Sequence, residues 1–163
     1  MFDVLGTAAD GLVAVGRLDM ATSGLLLLTN DTRLADWITD PKALSPAVYV
    51  VTVRGKVEPV ALERLHTGID SGGDHLRASA VTLRKSSKRE SHLTVELREG
   101  KNREVRRMFE SVGHEVTKLK RVQFGALTLD GLRPGEWRRL TRTEVARAFN
   151  HEDTKHEAGM VRG

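Results

Sequence analysis

Short β-branched or alternating segments succeed one another along this chain, and helical patterns fall irregularly between them. Regular strand–helix alternation would require a parallel sheet. Its absence favours an α+β domain, a mostly antiparallel mixed sheet flanked by helices. The run Leu25-Leu26-Leu27-Leu28-Thr29, bounded by Gly24 and Asn30-Asp31, reads as a strand buried on both faces. Leu34, Ala35 and Ile38 then fall at helical spacing. Val48 to Val53 reads as a strand closed by Gly55. Pro59 after Glu58 opens a helix of about ten residues that ends near Gly68. Leu76 to Leu83 and Leu93 to Leu97 alternate apolar and polar, giving two more strands. Strands are also predicted over Val116 to Phe124, Leu127 to Leu129 and Trp137 to Leu140. Thr141 and Glu144 form a capping box for a last helix reaching Phe149. Residues 151–163 have no apolar period and are expected to be a disordered tail behind a single domain over 1–150.

At 163 residues the chain holds one sizeable core, and 39% apolar with 29% charged residues fits a globular protein. With no Cys, thiol catalysis, thiolate metal sites and disulfides are excluded. No apolar run is long enough to span a bilayer, so a cytoplasmic setting with no membrane partner is expected. Residues 1–83 hold 7 Lys/Arg against 10 Asp/Glu, whereas residues 84–121 hold 12 against 6. Concentrated positive charge of this kind selects a polyanion. Aromatic residues are only 4%, too few for a platform that stacks many bases, so phosphate contacts should dominate. There is no Gly-rich phosphate loop, no HExxH and no clustered His, so neither a nucleotide cofactor nor a metal is expected.

Three places carry chemistry. Asp19 lies in a Gly-flanked polar loop, Gly16-Arg17-Leu18-Asp19, that feeds a buried strand. A carboxylate held there can act as nucleophile or base, although a lone loop Asp more often caps a turn or pairs with a neighbour such as Arg17. Tyr49 is the only Tyr and shares a strand face with Val51 and Val53, which suits either a pocket wall against a base or an ordinary core position. In Glu99 to Phe109, Asn102 is a good N-cap, and Val105, Met108, Phe109 and Val112 make one apolar helix face. Arg106 sits roughly 110° from the centre of that face, at the border of the core. Arg103 and Arg107 point outward, where their guanidinium forks suit phosphates or simply meet solvent. Lys118, Lys120 and Arg121 extend the positive field along the next strand.

Taken together, GRLD, TSGLLLLTND, YVV, EGKNREVRRMFESVGHEV, LKRVQFGALTL and LRPGEW resemble the bacterial rRNA pseudouridine synthases that modify single sites in small- or large-subunit rRNA. The resemblance covers about residues 12–148. It implies that Asp19 is the catalytic nucleophile, that Tyr49 stacks on the target base, and that Arg106 pairs with Asp19. Arg17, Lys101, Arg103, Arg107, Lys118, Lys120 and Arg121 are the expected RNA-binding residues. The implied partner is ribosomal RNA or a pre-ribosomal particle, met by a monomer without cofactor. Members of the family usually carry a small S4-type RNA-binding domain and a Lys-Pro strand ahead of GRLD. Neither is present here, so an N-terminally shortened catalytic domain is expected. A non-catalytic RNA-binding or ribosome-assembly module is the alternative; it would keep the basic residues without needing Asp19, Tyr49 and Arg106 together.

Overall fold

A computed structural model of the chain describes residues 11–16, 18, 21–40, 45–98, 103–149 and 161–162. The observed fold is α+β, with one large, mostly antiparallel mixed sheet. The chain opens with β1 (Val13–Val15) and β2 (Ser23–Gly24), followed by β3 (Leu27–Thr29) and α1 (Thr32–Thr39). Asp31 caps α1, its carboxylate accepting from the backbone N–H groups of Arg33 at 2.9 Å and Leu34 at 3.2 Å. The central strand β4 (Ala47–Arg54) leads into α2 (Pro59–Thr67). Two short strands follow, β5 (Ile69–Ser71) and β6 (Asp74–Leu76), then β7 (Ala80–Ser86) and β8 (Glu90–Leu97). Helix α3 (Glu104–Ser111) precedes the long strand β9 (Val116–Phe124) and β10 (Leu127–Thr128). The last elements are α4 (Arg142–Ala148) and β11 (Val161–Arg162).

The large sheet runs β10-β9-β4-β8-β7, with β2 added parallel to β9. A second sheet has the order β1-β3-β11. The apolar run at 25–29 is therefore divided. Leu25 still bonds to β9, its N–H donating to the Arg121 carbonyl at 2.7 Å, and the strand proper begins at Leu27, where β3 joins the other sheet. All three residues of β3 are buried, as expected of a strand covered on both faces.

Alternation on β4 and β8 turns Val51, Val53, Leu93 and Val95 to one face, and α2 and α3 cover that face with Ala61, Leu65, Val105, Met108 and Phe109. A separate core joins Val15, Leu27, Leu34, Ile38, Phe124, Val145 and Phe149. The capping box of α4 is present, with Glu144 N–H donating to Thr141 Oγ1 at 3.1 Å and Thr141 N–H to Glu144 at 3.1 Å. The Thr141 backbone N–H, and then Arg138, hold the Glu144 carboxyl below the usual carboxylate range.

Three local expectations change. Leu76 to Leu83 is split between β6 and β7, because Gly72-Gly73 turns the chain into a β5–β6 hairpin. Both glycines have positive φ, 56° and 84°, which a two-residue hairpin turn of this hand requires. Trp137 to Leu140 holds no strand, only an isolated bridge at Arg139. Helix α3 is capped at Arg103, whose φ of 51° is left-handed; the expected cap, Asn102, lies outside the described residues. Of the expected tail, only Val161–Arg162 is described, and its backbone pairs with β3.

Candidate active site

Tyr49 stands near the start of β4, with Arg121 of β9 directly opposite and Val95 of β8 on its other side. It is partly buried and packs against the larger core. A register shift beside this pair leaves Val122 unmatched, since Val48 pairs with Gln123 and Tyr49 with Arg121. One extra residue in a strand reverses the alternation beyond it. Arg121 and Phe124 consequently face the same way, and the guanidinium lies 4.7 Å from the centre of the Phe124 ring.

Arg121 is the main correction to the expected phosphate-binding set. It is 3% exposed and cannot meet a phosphate at the surface. Its Nε donates to the Leu25 carbonyl at 3.0 Å, while Nη2 is buried with no hydrogen-bond partner. Burial pulls its pKa below the ordinary value, and Tyr49 beside it opposes that shift by charge and hydrogen bonding. Strand alternation carried the signal: Leu119 and Arg121 share the inward face of β9, while Lys118 and Lys120 take the other and are exposed.

The GRLD segment approaches this point from both ends. A Cβ on Gly16 would come within 2.6 Å of Phe124 Cε2 and 3.4 Å of Arg121 Nη1. On the far side, Ala21 O accepts from Arg106 Nη2 at 2.9 Å. Gly24 then lies so close to β9 that a Cβ would sit 2.1 Å from the Arg121 carbonyl, so only glycine lets β2 close here. Asp19 itself, with Arg17 and Lys101, lies outside the described residues.

The three arginines of α3 separate differently from the expectation. Arg106 does lie at the border of the core, half-buried, with Nη1 also donating to Val116 O at 3.5 Å. Arg103 is exposed at the helix start. Arg107 does not face open solvent: its Nη1 meets Asp74 Oδ2 at 3.0 Å, Nε donates to Ser71 Oγ at 3.4 Å, and Nη2 donates to Ser71 O. The cause is the β5–β6 hairpin, which packs alongside α3 and supplies acceptors that the helix pattern alone does not reveal.

The site thus assembles an aromatic ring, a buried cation and a half-buried cation around the approach to the GRLD segment. Among the described residues no group of three His, Asp or Glu could hold a metal ion, and no helix is long and apolar enough to cross a membrane. An apolar cavity of about 450 Å³ lies elsewhere, between 23–28 and 127–140, and neither Tyr49, Arg106 nor Arg121 lines it.

Comparison with known proteins gives the family of the chain. The family model described as RNA pseudouridylate synthase matches residues 3–111. Ribosomal large subunit pseudouridine synthase B of Bacillus subtilis (strain 168) is 44% identical over 135 residues, covering 82% of this chain and 55% of that protein. An uncharacterized RNA pseudouridine synthase of Aquifex aeolicus (strain VF5) is 36% identical over 142 residues, covering 87% of this chain and 57% of that protein. This chain therefore spans a little over half the length of these relatives. A crystal structure of a pseudouridylate synthase superposes with a TM-score of 0.76 at 32% identity, over 87% of this chain and 61% of the other. An H/ACA RNP bound to a substrate RNA shares the fold, with a TM-score of 0.62 at 17% identity, over 79% of this chain and 43% of that one.

Proposed function

The chain belongs to the RNA pseudouridylate synthase family, and from that premise we propose that it isomerises a specific uridine of ribosomal RNA to pseudouridine. The observation that carries the proposal is that both flanks of the segment holding Asp19 lie against β9 and α3: Gly16 comes close to Phe124 and to Arg121, which pairs with Tyr49, and the Ala21 carbonyl accepts from Arg106. The 44% identical relative named for the ribosomal large subunit supports rRNA as the substrate class.

The reaction breaks the N1–C1′ bond, turns the uracil, and joins C5 to C1′. The proton on C5 is lost and N1 gains one, so atoms balance without an oxidant, reductant or group donor. Asp19 acts at the sugar as nucleophile. In this reading Arg106 is its partner, as the family resemblance implies. Tyr49 offers a face on which the uracil rests once it has left its stack. Arg17, Lys101 and Arg103, with Lys118 and Lys120, hold phosphates of the RNA backbone. A purely RNA-binding module would not need Arg121 buried opposite Tyr49, because a binding surface gains nothing from a cation hidden from phosphate.

Asp19→Asn tests the reading. Tritium release from 5-tritiated uridine in rRNA should vanish, while RNA binding stays within a few fold, because Asn keeps the shape without the charge. Turnover above a few per cent of the parent rate removes Asp19 from the mechanism. Absence of turnover by the parent protein on both rRNAs removes the proposed activity.

A further inference from the structure

Arg84-Lys85-Ser86 at the end of β7 and the turn Ser87-Lys88-Arg89 that leads to β8 place four cations in six positions. Its turn is built rather than loose. Ser87 N–H donates to Glu90 O at 2.8 Å, and Ser87 Oγ accepts from the N–H groups of Arg89 at 3.2 Å and Glu90 at 3.3 Å. The turn is also tied to the loop after β4. Gly55 N–H donates to Arg89 O at 2.7 Å, Ser91 Oγ donates to Gly55 O at 2.8 Å, and Val57 N–H donates to Ser91 Oγ at 3.0 Å. These bonds bring Lys56 and Arg54 to the same corner as Lys88 and Arg89.

The sheet face turned away from α2 and α3 continues the charge. Cross-strand pairing sets Lys118, Thr52, His92 and Lys85 in one row over four strands. That face is open, as Val50 is 42% exposed on it. The corner's carboxylates are Glu58, Glu90 and Glu115. Two are engaged, Glu115 by Arg54 at 2.9 Å and Glu90 by His92 at 3.2 Å. Among the described residues Lys56, Lys85, Lys88 and Arg89 are exposed and make no ion pair. Four unpaired cations gathered at one corner repel one another, and a polyanion relieves that repulsion.

We propose that this corner is a second RNA contact surface that takes the phosphate backbone of a duplex arm flanking the modified nucleotide; the proposal rests on the RNA-modifying reading above. Arg54 lies five residues along β4 from Tyr49, about 17 Å at strand rise, and the row of cations is on the opposite face from Tyr49. An RNA that enters the site and also meets the corner must therefore run around the sheet. No Phe, Tyr or Trp occurs in 50–58, 84–92 or 114–118, so the corner has no large aromatic platform for splayed bases, and its dense cations suit duplex backbone.

The test is the fourfold variant Lys56→Ala, Lys85→Ala, Lys88→Ala, Arg89→Ala. All four side chains are exposed, and a thermal melt checks that the fold is kept. Binding is measured against a duplex-bearing rRNA fragment over a series of salt concentrations, alongside single-turnover pseudouridine formation at saturating RNA. The expected result is affinity at least tenfold weaker, a log–log salt slope shallower by about three, and an unchanged single-turnover rate. Unchanged affinity and slope would overturn the proposal. If the parent protein binds the duplex through these residues but forms no pseudouridine, the surface stands and the activity reading fails. If it forms pseudouridine and the variant binds equally well, the activity stands and the surface fails.

Discussion

Arg121 keeps a guanidinium 3% exposed beside a phenol and over a benzene ring, with Nη2 unsatisfied. Such an arrangement costs stability, since the Leu25 carbonyl, Tyr49 and a ring face leave one buried nitrogen of the charge unsatisfied. On the proposed reading, that cost is offset by a role in turnover beside Tyr49, the only Tyr of the sequence. Arg121→Met keeps the length of the side chain and removes the charge. Replacing a poorly paired buried charge with an apolar group is often neutral or stabilising by about 1–4 kcal/mol. The variant is therefore expected to melt no lower than the parent while losing at least tenfold in single-turnover rate, with Arg121→Lys intermediate. A variant as active as the parent would show that the charge has no part in turnover. Strand alternation made the inward turn of Arg121 legible, because it is two residues from Leu119. Its contact with Phe124 was not legible, because it depends on the bulge at Val122, and a bulge is set by the register of the partner strand.

At the scale of elements, α3 is fastened at two points. Arg106 reaches across to Ala21, and Arg107 reaches across to the β5–β6 hairpin. The apolar face at Val105, Met108 and Phe109 was plain from helical spacing, and the border position of Arg106 followed from it. The hairpin's acceptors could not be read that way, since Ser71 and Asp74 are distant in sequence and polar. Arg107→Ala should destabilise the fold by about 1–3 kcal/mol, as the loss of charged hydrogen bonds at a partly buried site does. It should leave the salt dependence of RNA binding unchanged. Urea unfolding and a salt titration check the two parts. A shallower salt slope with full stability would return Arg107 to the phosphate-binding set.

Over the whole molecule, β9 is the shared wall of two cores. Val116 and Leu119 pack with α2 and α3, and Phe124 packs into the core of β1, β3, α1 and α4. There Phe149 meets Phe124 edge to face, with centroids 5.1 Å apart and planes at 85°. Phe149→Ala should cost about 3–5 kcal/mol in urea unfolding, as large-to-small changes in aromatic cores do. Trp137→Ala, at a position 41% exposed, should stay within about 1 kcal/mol. Equal effects would mean that the second core contributes little. The sequence alone determined the fold class, most helices and strands, and the gathering of positive charge in 84–121, because these depend on local periodicity and composition. Only the tertiary structure decided which cations meet solvent. Arg121 and Arg107 turn inward onto partners brought from other elements. Lys85, Lys88 and Arg89 remain free at a corner that also collects Lys56. Exposure is a property of what packs against a side chain, and those neighbours arrive through pairings dozens of residues apart.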